Sequence, residues 1–284
     1  MEIKSLGKTN FDTLFRAFSQ SFADYEVQIN EVQFRAMLKR RGFNPDVSFA
    51  AFEGDEIVSF TCNGIGNHCG IPTAYDTGTG TLKEYRGKGL ASQIFEYSIP
   101  FLKNANIKQY LLEVLQHNTK AVSVYQKIGF ETTREFHYFK QKNEEIHLNI
   151  KSNTLPPYSI KQIDIEQFDF ISEFWDFHPS WQNSFESIKR AKDDFVCLGA
   201  FTKQQLVGYC IFEPVSGDLT QIAVDKQSRR KGIATLLLHE IVKLNKNEAI
   251  KIINTDISCH SITEFLKSKN INIQGKQFEM IKQL

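Results

Sequence analysis

The stretch Arg86-Gly87-Lys88-Gly89-Leu90-Ala91 lies between a strand-like segment and a run of apolar residues at helical spacing. A turn that leads from a strand into a helix exposes backbone N–H groups at the positive end of the helix dipole. Glycine lets the backbone come close to a ligand, and the basic side chains add positive charge. The stretch therefore predicts a binding site for a phosphate or pyrophosphate group.

A second copy of this loop, Arg229-Arg230-Lys231-Gly232-Ile233-Ala234, occurs about half a chain length later. The elements around both copies follow in the same order: a strand, helices, a hairpin, a strand, the loop, a helix, a strand and a helix. This order predicts a duplicated unit. The segment 151–157 ends in two prolines, which cannot continue a helix or a central strand. We therefore expect domains at 1–150 and 158–284, joined by a linker at 151–157.

The hydrophobic pattern also predicts particular elements. In the first half, we expect helices over 11–22 and 30–41 and a strand over 74–82. In the second half, we expect helices over 166–177 and 184–192. The glycine-rich segment 64–70 resembles a dinucleotide fingerprint, but its third glycine is one position late and no helix follows, so it is interpreted as a hairpin or loop.

A second motif follows the first loop. The run Leu112-Glu113-Val114 leads to Asn118, Ala121, Tyr125 and Gly129-Phe130. Together with the loop, in which Arg86, Gly89 and Ala91 fill the pattern [RQ]-x-x-G-x-[GA], this run resembles the acyl-coenzyme A motif of the GNAT superfamily. The specific match covers residues 81–130 and is close to the ribosomal-protein acetyltransferase-like branch, while weaker similarity to tandem-GNAT proteins covers the whole chain.

The resemblance implies a fold class. It is an α/β (mixed α+β) fold with two tandem GNAT-like domains, each a mixed, mostly antiparallel sheet with splayed strands 4 and 5 flanked by helices. It also implies acetyl-CoA as the acyl donor, with the pantetheine arm between the splayed strands. The residues that the resemblance places around the donor are Thr81, Leu82, Arg86, Gly87, Lys88, Gly89, Leu90, Ala91 and Asn118.

The implied reaction is direct attack of an amine on the thioester, for which a base removes a proton from the amine. Glu113 is the first candidate for the base, and Asp76, at the head of the fourth strand, is the second. Tyr125 would protonate the departing thiolate. Each residue also has a structural explanation, since Tyr125 lies on the apolar face of its helix, Glu113 alternates with apolar neighbours, and Asn118 is a typical helix cap.

The second half lacks this set of side chains. Cys259 stands where the first half has Asn118, Asn254 replaces Glu113, and Leu266 replaces Tyr125. We therefore expect a second domain that keeps the fold, with at most a vestigial anion site, and performs no acyl transfer.

Composition narrows the range of partners and settings. A formal net charge of +1 gives no bulk attraction to nucleic acid or to an anionic membrane. Five cysteines without a C-x-x-C pair, and no apolar segment after a basic start, favour a reduced, cytoplasmic setting. His68 and Cys69 have no partners at metal-ligand spacing, so no metal is expected.

The acceptor stays open at this stage. A small-molecule amine and a peptide amine both fit, and the resemblance places Tyr25, Glu26 and residues 136–138 near the acceptor pocket. The second domain would either cover that pocket or mediate a homodimer. Two alternative functions are a catalytically silent acyl-CoA binding or sensing module, and a phosphotransferase. The latter lacks the G-x-x-x-x-G-K-[ST] motif and acidic magnesium ligands.

Overall fold

The computed structural model describes residues 1–24, 28–149 and 158–284, and its contacts divide these residues into two compact units. The first unit draws on residues 1–134, 184–191 and 278–284. The second unit draws on residues 135–183 and 192–277. The predicted linker at 151–157 lies outside the described residues, so the domain boundary expected there stays a prediction.

The first half of the chain alternates helices with long antiparallel strands. Its elements are β1 (Glu2–Ser5), α1 (Phe11–Ser21), α2 (Glu31–Arg41), β2 (Phe49–Glu53), β3 (Glu56–His68), β4 (Ile71–Thr81), α3 (Leu90–Asn104), β5 (Gln109–Leu115), α4 (Thr119–Lys127) and β6 (Glu131–Lys142). The expected helices over 11–22 and 30–41 are confirmed. The segment 64–70 belongs to the β3–β4 hairpin, as expected: residues 64–68 are the end of β3 and residues 69–70 form the turn.

The second half repeats this order with shorter elements. They are β7 (Tyr158–Gln162), α5 (Phe185–Arg190), β8 (Val196–Thr202), β9 (Gln205–Glu213), β10 (Asp218–Val224), α6 (Ile233–Leu244), β11 (Ala249–Asp256), α7 (His260–Ser268) and β12 (Ile273–Gln283). Short 3₁₀ turns replace the expected helix over 166–177, which is therefore wrong. Ile165–Gln167 and Asp169–Phe174 form separate turns because the chain leaves helical geometry at Phe168.

Each unit holds a mixed sheet whose strands are mostly antiparallel, as the fold-class prediction requires. In the first unit the strand order is β1-β2-β3-β4-β5, followed by the C-terminal part of β12. In the second unit the order is β6-β11-β10-β9-β8-β7. β4 pairs in parallel with β5, and β10 pairs in parallel with β11. These are the fourth and fifth strands of each half, which the resemblance expects to splay apart.

The last strand of each half contributes to the unit formed mainly by the other half. From Phe136 to Lys142, β6 pairs with β11 of the second unit. Residues 278–284 belong to the first unit, where the Leu284 N–H donates to the Lys108 carbonyl at 2.9 Å. The sequence did not reveal this exchange, because a strand pattern specifies the buried face but not the neighbouring strand. Within the described ranges, no helix has the length and apolar character needed to cross a membrane.

Candidate functional site

The sheet of the first unit opens directly after a short parallel ladder. Residues Thr73–Tyr75 of β4 pair with Gln109–Leu111 of β5, and both strands continue beyond that ladder without further pairing to each other in the described residues. On the other side of β4, Asn63 lies opposite Asp76 while Cys62 lies opposite Gly78. Thr77 is therefore the extra residue of a β-bulge, which bends the strand and redirects neighbouring side chains.

The first loop has the geometry that the sequence predicts for an anion site. Gly87 and Gly89 take φ values of +77° and +75°, in the left-handed region that glycine tolerates. Gly89 is the N-cap of α3, and no side chain caps the first turn. A β-carbon at Gly87 would meet nothing within 4 Å, so the loop surface is open. Helix N–H groups at an open, uncapped start suit a phosphate.

Arg86 is bound by protein groups on three sides. Its Nε donates to the Thr81 carbonyl at 3.1 Å, and its Nη2 donates to the Ser21 carbonyl at 2.8 Å. Its Nη1 lies 3.0 Å from the Asp24 carboxylate. The side chain therefore ties the loop to the end of β4 and to α1, which gives Arg86 a positioning role in any ligand site here.

Other predicted donor-binding residues have defined partners. The Leu82 N–H donates to the Val58 carbonyl at 3.0 Å, and its carbonyl accepts from Tyr85 N–H at 2.9 Å, so a ligand contact would have to share that carbonyl. Asn118 caps α4 by accepting from the Ala121 N–H at 3.3 Å. Lys88 is exposed at the loop surface, with its Nζ 4.6 Å from the centre of the Tyr85 ring.

Two of the predicted catalytic residues touch each other. The Tyr125 hydroxyl donates to Asp76 Oδ2 at 3.1 Å, although the residues lie far apart in the sequence. Asp76 is buried, and it also accepts from Thr79 Oγ1 and from the Gly78 N–H, both at 2.9 Å. Burial raises the pKa of Asp76, while the hydrogen bonds and the positive charge of Arg41 act in the opposite direction.

Glu113 is held by a different tyrosine. The Tyr75 hydroxyl donates to Glu113 Oε2 at 3.1 Å. Burial raises the pKa of the Tyr75 hydroxyl well above its ordinary value, and the charge of Glu113 raises it further. The two carboxylates that the sequence proposed as bases are thus each paired with a phenol, Glu113 with Tyr75 and Asp76 with the proposed acid, Tyr125.

A cavity of about 260 Å³ lies beside the bulge in the first unit. Its lining is mainly apolar and comes from α1, α2 and the segment next to them, with Thr77 and Gly78 of β4. Arg41 lines it as well and donates from Nη1 to the Thr77 carbonyl at 2.9 Å, which fixes the bulge. The cavity thus borders the two residues that directly follow Asp76 in β4.

The second loop has the same backbone conformation as the first. Arg230 and Gly232 take φ values of +62° and +84°, at the positions that correspond to Gly87 and Gly89. Arg229 donates to the Val224 and Phe174 carbonyls, both at 3.1 Å, and pairs with Asp176 at 3.0 Å. The second unit also has a bulge, since the register between β10 and β9 shifts between Leu219 and Gln221.

A cavity of about 870 Å³ lies in the second unit between these elements. Residues 228–230 of the loop, strands β10 and β11 and helix α7 contribute to its lining. Cys259 occupies the N-cap of α7, but its side chain makes no capping hydrogen bond. Leu266 is fully buried, and Asn254 is bonded to Ser180 and Gln277. This cavity is large. The residues that correspond to Glu113 and Tyr125, however, are Asn254 and Leu266, whose side chains can act neither as a base nor as an acid.

Tyr75, Thr79 and Arg41 were not predicted from the sequence as residues of the site. A hydroxyl three residues after Asp76 is a local signal for a side-chain hydrogen bond, whereas Tyr75 and Arg41 reach the site only through tertiary packing. Residues 136–138, expected near the acceptor pocket of the first domain, instead belong to the second unit because β6 pairs with β11 there. Tyr25 and Glu26 lie outside the described residues. In the described part of the chain, no group of three or more His, Cys, Asp or Glu side chains could hold a metal ion.

Comparison with known families finds one model that matches twice. The model of the acetyltransferase (GNAT) family matches residues 11–130 and 158–260. Among curated proteins, N-alpha-acetyltransferase 30 of Schizosaccharomyces pombe is 30% identical over 87 residues, which cover 30% of this chain and 58% of the relative. An uncharacterized N-acetyltransferase of Bacillus subtilis is 39% identical over 56 residues, covering 20% of this chain and 23% of the relative. The match thus spans little more than half of the yeast protein and less of the bacterial one.

Solved structures match over nearly the whole chain. A tandem GNAT protein from the clavulanic acid biosynthesis pathway superposes with a TM-score of 0.73 at 12% identity, covering 99% of this chain and 98% of that one. A GCN5-related N-acetyltransferase from Sphaerobacter thermophilus gives a TM-score of 0.71 at 12% identity, covering 99% and 95%. At such identities the likeness concerns the fold alone.

Proposed function

Since the chain belongs to the acetyltransferase (GNAT) family, whose members use an acyl-CoA donor, we propose that it transfers an acetyl group from acetyl-CoA to a primary amine and that the first unit performs the transfer. The observation that carries this proposal is the hydrogen bond between Tyr125 and Asp76 at the opening between β4 and β5. On this proposal, the two side chains would serve as an acid and a base within reach of each other in the same gap. In the second unit, Leu266 stands in the place of Tyr125, and Asn254 stands in the place of the other candidate base, Glu113.

The donor would lie with its pyrophosphate on the loop 86–91 and its thioester in the gap. The uncapped start of α3 supplies N–H groups, and Lys88 supplies charge. Acetyl-CoA would contribute the activated acyl group. Because the reaction is direct attack, holding the amine and the thioester together provides much of the rate enhancement.

The acceptor would enter through the cavity beside Thr77 and Gly78. A primary amine is mostly protonated at neutral pH, so a nearby carboxylate is needed to keep the attacking nitrogen neutral. Asp76 and Glu113 are the two groups that can do this, and a small-molecule amine and a peptide N-terminus remain the two acceptor classes. The second unit would then have a non-catalytic role, such as covering the site or joining two chains in a homodimer.

The first experiment measures acetyl-CoA binding by calorimetry and thiol release with four amines. These are spermidine, an α-amino acid, an aminoglycoside and a short peptide with a free N-terminus. In Gly89→Glu, a carboxylate in the loop should repel the donor's phosphates and abolish both binding at the first loop and turnover. Gly89→Ala is the matched control, because it shares the left-handed strain at φ +75° without adding a charge.

The same pair of substitutions at Gly232 tests the second loop. Turnover that survives in Gly232→Glu but not in Gly89→Glu supports catalysis in the first unit. The reverse pattern would place the chemistry in the second unit and contradict the proposal. Wild-type protein that binds acetyl-CoA but turns over none of the four amines would also count against it.

A second candidate function is that of a catalytically silent module that binds or senses acyl-CoA. The observation in its favour is the cavity of about 870 Å³ next to the second loop. Binding that is lost in Gly232→Glu, unchanged affinity in Tyr125→Phe and no release of thiol in any variant would favour this function. A stoichiometry of two donors per chain, with turnover abolished only by Gly89→Glu, would instead give the second unit a binding role beside a catalytic first unit.

A further inference from the structure

Asp76 is a buried carboxylate with three hydrogen-bond donors from three different residues. The Gly78 N–H donates to Oδ1, while the Thr79 hydroxyl and the Tyr125 hydroxyl both donate to Oδ2. Gly78 and Thr79 belong to β4 itself, so they fix the carboxylate against the bulge. Tyr125 alone comes from another element, α4, and its phenol ring packs near Phe130 with the ring centres 5.8 Å apart.

Several titratable groups on other parts of the first unit interact with the Asp76 carboxylate. They are Arg41 on α2, Cys62 on β3, Tyr75 on β4, Tyr110 on β5 and Tyr125 on α4. Burial raises the pKa of Cys62, Tyr75 and Tyr110 well above their ordinary values, so these groups stay neutral around pH 7. Arg41 is then the charged member of this group, and it favours the ionised form of Asp76.

We propose that Asp76 and Tyr125 form one proton relay, in which the carboxylate takes a proton from the attacking amine and the phenol gives a proton to the departing thiolate. The proposal rests on the function proposed above and deepens it. It replaces an acid and a base that act separately with two groups that act as a unit. The 3.1 Å contact between the Tyr125 hydroxyl and Asp76 Oδ2 is the link.

Each bond change in the relay is matched by one proton movement. The neutral amine nitrogen forms a bond to the thioester carbon, and its proton passes to the Asp76 carboxylate. The carbon–sulfur bond breaks with its electron pair on sulfur, which takes the hydroxyl proton of Tyr125. The carboxyl group of Asp76 then returns a proton to the phenolate. The products are the N-acetylated amine and the thiol, and both side chains regain their starting states.

Glu113 does not fit into this chain of proton transfers. Its Oε2 accepts from Tyr75 at 3.1 Å, and Tyr75 is held in the neutral state by burial. A base at Glu113 would be linked by this hydrogen bond to Tyr75, and we expect its effect to be independent of Tyr125. The two candidate bases can therefore be distinguished by their coupling to Tyr125. When two residues act as a unit, the losses in kcat/KM from their substitutions are not additive, whereas the losses from independent residues are additive.

The test compares two double-mutant cycles, with kcat/KM measured on the best amine of the four. Asp76→Asn and Tyr125→Phe should each lower kcat/KM about 100-fold, the lower range for acid–base groups. Their combination should lose about the same 100-fold, whereas independent groups would lose about 10⁴-fold together. Glu113→Gln combined with Tyr125→Phe should be additive. An additive Asp76 cycle, or a non-additive Glu113 cycle, would overturn the relay.

Asp76→Asn also separates proton transfer from mere positioning. Asparagine has nearly the same shape and can still accept the tyrosine hydrogen bond through its oxygen. A positioning role alone would therefore leave kcat/KM within about threefold of wild type, whereas the relay predicts the 100-fold loss. In the relay, the inflection of the kcat/KM profile that belongs to Asp76 also disappears in Asp76→Asn, while the rise that comes from deprotonation of the amine itself remains.

A measurement without any acceptor tests the contact itself. The pKa of Asp76 can be followed by NMR of ¹³C-labelled aspartate carboxyl carbons, with the resonance assigned from its absence in Asp76→Asn. Tyr125→Phe removes one hydrogen bond that favours the carboxylate, so the pKa of Asp76 should rise further. An unchanged pKa would refute the relay even if turnover is normal. Turnover of none of the four amines by wild type, with the NMR shift present, would instead show that the proposed function has failed.

Discussion

At the scale of single residues, the site depends on a carboxylate that folding places in an unfavourable environment. Asp76 is buried at the bulge of β4, and burial raises its pKa despite three hydrogen bonds. An ionised group that remains partly desolvated costs stability, and such costs are common at functional sites. The neighbouring Tyr75 and Tyr110 are buried as well, so water screens this region poorly.

Asp76→Asn should therefore become relatively more stable as pH rises. Because its folded pKa is raised, the native state binds the Asp76 proton more tightly than the unfolded chain does. The resulting stability is fully present below about pH 3.9, the ordinary value, and is lost as pH rises through the folded pKa. Asparagine does not titrate, so the difference in unfolding free energy should move in favour of Asp76→Asn from pH 4 upward.

Urea unfolding of both proteins between pH 4 and pH 8 would measure this difference. Asp55→Asn, in the exposed turn between β2 and β3, is the control for a general effect of removing a carboxylate. A free-energy difference that stays constant across the pH range would contradict the argument. Because both carboxylate oxygens accept hydrogen bonds, one acceptor is lost in Asp76→Asn, and the same unfolding curves show whether the variant is folded under assay conditions.

At the scale of elements, the two halves share the loop conformation but differ at the start of the second helix after the loop, which is α4 in the first half and α7 in the second. Both loops place positive φ values at corresponding positions and tie their first arginine to a strand end and a carboxylate. In contrast, α4 has a side-chain cap from Asn118, whereas α7 begins at Cys259 without one. The loop geometry has thus been retained where the helix start has not.

Asn118 can be tested for two separate roles. Asn118→Ala removes the cap of α4 and should cost about 1 kcal/mol of stability. Asn118→Ser keeps a side-chain oxygen for the Ala121 N–H, so it should retain most of that stability. If Asn118 also contacts the donor, both variants should bind acetyl-CoA more weakly. An Asn118→Ser variant with wild-type affinity and stability would limit the residue to capping.

At the scale of the whole molecule, the first unit depends on the end of the chain. Residues 278–284 lie in that unit, and Met280 is fully buried in the same apolar cluster as Phe95, Tyr110 and Phe130. Buried Glu279 is paired there with Arg134 at 2.6 Å. Tyr125, on α4, packs against the same apolar cluster. These contacts therefore help to position the helix that carries Tyr125.

Met280→Ala should therefore destabilise the candidate catalytic unit although it lies far from Tyr125 in the sequence. Removing a fully buried methionine side chain typically costs about 2–5 kcal/mol. Thermal unfolding would show a lowered Tm, and acetyl-CoA binding at the first loop should be lost at a lower temperature. Lys276→Ala, at an exposed position of the same strand, is the control. Equal effects of the two substitutions would contradict the exchange of strands.

Several features of this protein could be predicted from the sequence because they depend on local chemistry. The glycines at 87, 89 and 232 indicated turns before helices, and the apolar spacing after each loop predicted α3 and α6. The repeat of both signals indicated a duplicated fold. Asn118 as a helix cap follows from the same kind of rule, since its partner is only three residues away.

The remaining features were decided by the tertiary structure, because they depend on residues that meet only after folding. The sequence named Asp76, Glu113 and Tyr125 but ranked Glu113 first, since it could not tell which carboxylate would contact the tyrosine. The exchange of β6 and β12 was hidden because an alternating pattern suits many neighbouring strands. Local rules thus determined which elements form, whereas packing decided which strand completes each sheet and which carboxylate Tyr125 reaches.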